Sequence, residues 1–238
     1  MIACTGEFPL ATQTLSYVDA ITHLPPGGTL ILSDVPWEEY EQLLADLGDS
    51  YAARITYDRG RLEIMSPSIR HENFAETIAR LLHVLAEELD VQLESLGSTT
   101  YKQEWRERGV EPDACFYVEN ATRIIGKRKI DLSTDPPPDI AVEIDLSGES
   151  TSKLAIYAGM GVPEVWRYDG QRVWIYHLID QDYAEASSSR AFPLLTAAVL
   201  SQFLEQSKSE GQTATLGAFR KWLRAQRSQG STESSAKN

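Results

Sequence analysis

Hydrophobic residues recur along this chain with two periods, and each stretch declares its element by the period it keeps. From Arg70 to Leu89 the apolar positions Phe74, Ile78, Leu81, Leu85 and Leu89 stand four, three, four and four apart, the stripe of an amphipathic helix. Trp37, Tyr40, Leu44 and Leu47 repeat at similar spacing, with a capping side chain expected in Ser33-Asp34-Val35-Pro36 and an end at Gly48. Residues 52–65 predict a hairpin turning at Asp58-Arg59-Gly60. Strands are expected near 91–96, 99–105, 113–119, 139–146, 164–168 and 172–179, the last two joined through Asp169-Gly170. Further helices are predicted at 150–160, 197–206 and 212–226. Residues 1–33 offer only a Pro25-Pro26-Gly27-Gly28 loop and predict irregular chain. From Ser228 the chain is polar and Ser-rich, which predicts a disordered tail over 228–238 behind a single domain spanning 1–227.

One strand breaks the usual economy of its kind. In Asp139-Ile140-Ala141-Val142-Glu143-Ile144-Asp145 the apolar residues alternate with three acids, so one face is greasy and the other carries carboxylates about 6.7 Å apart. Asp and Glu are depleted in strands and are almost never buried unpaired. With Asp113 opening another strand after Pro112, the three acids suggest a divalent-cation site, whose oxygen ligands suit Mg²⁺ or Mn²⁺ rather than zinc. The competing reading is a solvated sheet face.

Bulk numbers narrow the choice. No apolar run approaches the roughly 18 residues of a membrane span, and the first residues lack a signal peptide's basic start, so a cytoplasmic protein is expected. Cys4 and Cys115 make neither a disulfide framework nor a zinc cluster. The net charge of −13 runs against nucleic-acid binding, where cations supply most of the affinity. Only local patches are basic: Arg54, Arg59, Arg61 and Arg70; Arg123, Lys127, Arg128 and Lys129; Arg220, Lys221, Arg224 and Arg227. Any DNA binding would be weak, carried by such patches and assisted by metal.

The order of elements around those acids carries a resemblance. Pro112-Asp113, Asp139-Ile-Ala-Val-Glu143, Lys153-Leu-Ala-Ile-Tyr157 and Gly161-Val-Pro-Glu-Val-Trp166, with Gly60-Arg-Leu-Glu-Ile-Met-Ser-Pro-Ser68 and His71-Glu72 upstream, resemble the PD-(D/E)XK nuclease superfamily. The branch they resemble is the restriction-endonuclease-like Uma-two family, over about residues 35–180. The resemblance implies an α/β fold, a central mixed β-sheet flanked by helices. It implies Asp113 and Glu143 as carboxylates holding Mg²⁺ or Mn²⁺, which would generate a hydroxide nucleophile and stabilise charge on a scissile phosphate. The superfamily's lysine, two positions after the glutamate, is here Asp145; the branch supplies it from the next helix, where Lys153 stands four residues before Tyr157. Glu76 matches the place of a further carboxylate, although Glu72 is equally open and Glu76 could simply pair with Arg80. His71, near a helix start, could reach a phosphate. Two functions follow as expectations. The first is a metal-dependent endonuclease hydrolysing DNA phosphodiesters, a homodimer because duplex cleavage needs two sites. The second is a catalytically inactive nuclease-fold module that binds DNA or a protein partner.

Overall fold

The computed structural model describes residues 10–48, 51–146 and 153–235, with side chains for 17–48, 51–146 and 153–228. The contacts of the chain gather into two units, one of Met1–Ile69 with Lys102–Glu111 and one of Arg70–Tyr101 with Pro112–Asn238.

The first unit holds helices α1 (Leu10–His23) and α2 (Trp37–Leu47) and most of a five-stranded sheet. Its strands are β1 (Thr29–Leu32), β2 (Arg54–Asp58), β3 (Arg61–Met65), β5 (Tyr101–Gln103) and β6 (Arg108–Val110), in the order β1-β3-β2-β6-β5. The hairpin expected over 52–65 is β2–β3, turned by Arg59 and Gly60 at positive φ. Two elements correct the expectation of irregular chain before residue 33. Tyr17, Val18, Ile21 and Leu24 of α1 and its exit, with Leu30 and Leu32 of β1, pack against the core that holds Trp37, Tyr40, Leu43 and Tyr57. The expected cap of α2 is also absent: Pro36 occupies the N-cap with no side-chain bond, and Glu38 and Glu39 in the first turn face the positive end of the helix dipole. Gly109 on β6 is required by a close approach, because a Cβ there would stand 2.0 Å from the Tyr40 hydroxyl oxygen.

The second unit is built on a six-stranded sheet ordered β11-β10-β9-β8-β7-β4. Its strands are β4 (Glu94–Ser95), β7 (Ala114–Tyr117), β8 (Ile140–Ile144), β9 (Glu164–Tyr168), β10 (Val173–Ile179) and β11 (Asp182–Ala186). β8 and β9 run parallel and the other neighbours antiparallel, so this is the mixed sheet that the resemblance implied. A parallel pair needs a crossover, and helix α5 (Leu154–Met160) lies between β8 and β9 in the chain; residues 150–152 of the expected helix lie outside the described residues. Helix α3 (Ile69–Leu89) sends Phe74, Ile78, Leu81 and Leu85 into a core with Ile140, Val142 and Ile144 of β8. Phe203, Leu204, Phe219 and Leu223 of helix α6 (Ala197–Ser235) join that core. The two expected C-terminal helices are present within α6 and meet at Gly211, whose φ of 78° and ψ of 166° are not helical. The run continues through Ser235, past the expected start of the tail; residues 236–238 lie outside the described residues. A short helix, α4 (Ala121–Ile124), and the exposed edge strand β11 have no counterpart in the sequence reading.

Candidate active site

Every residue of β8 is buried, and so are the acids that flank it: Glu143 keeps 2% of its surface, and Asp145 and Asp139 at its two ends keep 4% and 5%. A solvated sheet face is therefore excluded for this strand. The even positions pack into the α3–α6 core, and the odd positions form the opposite, polar face. β7 pairs with β8 as Ala114↔Val142, and Asp113 stands one residue before β7, where its own bonds tie it to β8. Asp113 is locked there from both sides. Its N–H donates to the Val142 carbonyl at 3.0 Å, and its Oδ2 accepts the Ile144 N–H at 2.6 Å.

Helix α5 supplies the groups that meet Glu143. Lys153, at its N-cap, donates Nζ to Oε2 of Glu143 at 2.7 Å, and Tyr157, one turn on, donates its hydroxyl to Oε1. Both carboxylate oxygens thus face α5, and Lys153 itself is 6% exposed. The two acids are driven apart electrostatically. Burial raises the pKa of Glu143, against Lys153, and the charge of Asp113 adds to the rise. Burial also works against ionised Asp113, but the His71 hydrogen bond, the Lys153 charge and the Ile144 N–H together bring it below the usual carboxylate range. Tyr157, buried beside Glu143, is pushed far above an ordinary phenol.

The remaining predicted residues go elsewhere. Asp139 is a structural acid: its Oδ2 accepts the N–H groups of Val118 and Asn120 at 2.7 and 3.0 Å, and its Oδ1 accepts the Asn120 side chain at 2.7 Å. Asp145 receives Arg167 of β9, whose Nη2 and Nε reach Oδ2 at 2.5 and 2.9 Å. Of the three alternating acids, then, Glu143 faces Asp113 and α5, while the flanking two are taken up by Asn120 and Arg167. Glu76 lies on α3 with its side chain 54% exposed and pairs with Arg80 at 2.6 Å. His71 joins the site instead, with Nε2 3.1 Å from Oδ2 of Asp113 and its side chain 6% exposed. Sequence reasoning gave His71 only a phosphate contact. Its place three before Phe74 and seven before Ile78 would have put it on the apolar stripe of α3.

Comparison with known proteins gives the chain a family and a fold. A family profile named Uma2, described as "Putative restriction endonuclease", matches residues 37–207. The chain belongs to the Uma2 family. Among solved structures it is similar to one described as a "putative nuclease belonging to DUF820" from Anabaena variabilis, with a TM-score of 0.51 and 15% identity over 71% of this chain and 99% of that one. That likeness shows the fold, which is restriction-endonuclease-like. No curated protein matches the chain.

The donor set of this Uma2 site suits a hard cation. Among the described residues no three His, Cys, Asp or Glu side chains group to hold a metal. Asp113 and Glu143 offer two carboxylates, and Mg²⁺ is usually bound through one or two carboxylates together with substrate phosphates. The repulsion of Asp113 that raises Glu143 is the interaction a cation between them would relieve. Each basic patch has cations committed to acids: Arg220 to Glu87 and Glu88, Arg224 to Glu88, Lys127 to Asp135 and Arg59 to Asp58. No described helix is long and apolar enough to cross a membrane.

Proposed function

We propose that this Uma2 protein is a Mg²⁺-dependent endonuclease that hydrolyses DNA phosphodiester bonds, with Mn²⁺ as a substitute metal. The observation that carries the reading is the Lys153–Glu143 contact at 2.7 Å beside buried Asp113. It gathers two carboxylates and an ammonium although position 145 is an acid, so the displaced lysine has a physical place. Asp113 and Glu143 would hold the metal, which when bound supplies Lewis-acid charge to the phosphate and acidity to water. The chain's own groups orient and exclude. His71 and the Ile144 N–H fix Asp113, Tyr157 fixes the second oxygen of Glu143, and the Lys153 ammonium offsets charge building on phosphoryl oxygens. Glu76, half exposed and paired with Arg80, is given no step. The membership of the family described as "Putative restriction endonuclease" supports a nucleic-acid substrate, and DNA is the substrate we propose. Cleavage of both strands of a duplex calls for two such sites, hence a homodimer, and a cytoplasmic setting suits that substrate.

The test is nicking of supercoiled plasmid with Mg²⁺, with Mn²⁺ and with EDTA. Wild type is expected to nick with either metal and to stop in EDTA, while Asp113→Asn and Glu143→Gln lose at least about a hundredfold in rate with the fold intact by circular dichroism. Nicking at the wild-type rate by either variant would overturn the assignment.

A further inference from the structure

The acid at position 145 marks a second cation on the same sheet face. Asp145 stands just past the end of β8, two residues after Glu143, where its N–H still donates to the Tyr168 carbonyl of β9 at 2.8 Å, so the two acids share one side of the sheet. In the parallel β8–β9 ladder Arg167 is the register partner of Glu143, so all three side chains leave the sheet on one side. Arg167 closes on Asp145 with two N–H groups on the single oxygen Oδ2. Its guanidinium lies over the Trp174 ring, 5.4 Å from the centroid. A guanidinium has five N–H groups in a planar fork, so this clamp holds its plane without using all of its donors. Exposure divides the pair. The Asp145 side chain is 2% exposed and Arg167 16%, so it is the cation that reaches solvent.

We propose that Arg167, aimed by Asp145 and Trp174, contacts a backbone phosphate of the substrate next to the one held at Asp113 and Glu143. The geometry gives a protein of net charge −13 a fixed guanidinium at its site in place of a broad basic surface. It also gives the acid at position 145 a purpose: a lysine there would repel Arg167, whereas Asp145 orients it. The inference rests on the nuclease reading above.

The alternative is that Arg167 merely neutralises a buried acid, and the test separates the two. Arg167→Ala alone would strand the Asp145 charge and could unfold the protein, so the informative variant is Asp145→Asn with Arg167→Ala, which removes both charges. Plasmid nicking in Mg²⁺ is followed across salt concentrations. The expected result is a melting temperature near that of wild type, a KM raised about tenfold with the loss in KM rather than kcat, and a salt slope shallower by about one. A double variant with the wild-type KM and salt slope would overturn the inference and leave the nuclease reading standing. A wild-type protein that does not nick DNA would bring down that reading and this inference with it.

Discussion

Two sets of ion pairs in the second unit use the same residue types in opposite settings. On the sheet face, Asp113, Glu143 and Asp145 meet His71, Lys153 and Arg167, with all three acids at most 5% exposed. Between α3 and α6, Glu87 and Glu88 meet Arg220 and Arg224, whose side chains are 37% and 65% exposed. Pairs of the second kind, screened by solvent, cost little and contribute little. Buried pairs must recover a desolvation penalty that well-packed apolar residues would never incur. A fold seeking only stability would have filled the odd positions of β8 with valine. The acids there are explained by what they could hold, and the exposed pairs by the helices they join.

The largest effect that would break this contrast concerns Lys153. Lys153→Ala is expected to slow plasmid nicking by about two orders of magnitude, the scale for losing one charge-stabilising donor. Metal binding should survive, since lysine is no ligand, and removing its charge should tighten it. A fully active Lys153→Ala protein would make the lysine a structural partner of Glu143 and leave the cation unassigned.

A second variant sharpens the energetic side. Glu143→Met, Lys153→Met and Tyr157→Phe together remove the polar contact and leave apolar groups of similar volume. Replacements of this kind are often neutral or stabilising by about 1–4 kcal/mol. The triple variant should therefore melt at or above the wild-type temperature while nicking nothing. A large drop in melting temperature would mean that the contact serves stability, against the comparison drawn here.

The smallest effect lies in the exposed set. Hydrogen bonds from Arg224 and Arg220 hold Glu88 at a pKa of about 2, below its ordinary value. A lowered folded-state pKa gives stability that is full above the unfolded value, about 4.3, and is lost as pH falls toward 2. Melting temperature should fall over that interval, and Glu88→Gln should flatten that part of the curve while leaving nicking untouched. An unchanged curve in Glu88→Gln would show that other carboxylates carry the acid transition.

How much of this was legible depended on whether a residue's partner lies near it in sequence. The stripe from Phe74 to Leu89 announced α3 because one helix face repeats over several turns, and the alternation from Asp139 to Asp145 announced β8 because one strand face repeats likewise. Helix α1 was hidden because its apolar stripe is short and leads into Pro25-Pro26-Gly27-Gly28. Asp182-Tyr-Ala-Glu-Ala was hidden because β11 is an exposed edge, where burial imposes no alternation. Among the acids, alternation set Asp139, Glu143 and Asp145 on one face but could not say which would be taken up by other side chains. Asn120 and Arg167, which bind the flanking two, stand 19 and 22 residues away. His71 escaped for a related reason: a lone histidine has no ligand spacing, and its partner Asp113 is 42 residues on.

Calorimetric titration of Mn²⁺ into the protein, with and without a short DNA duplex, tests the central claim most directly, because it reads the carboxylate pair without requiring turnover. Wild type is expected to bind the metal at the Asp113–Glu143 site, with Asp113→Asn and Glu143→Gln both abolishing the heat and Lys153→Ala retaining it. A wild-type protein that takes up no metal even with DNA present, or binding that survives both carboxylate variants, would contradict the account.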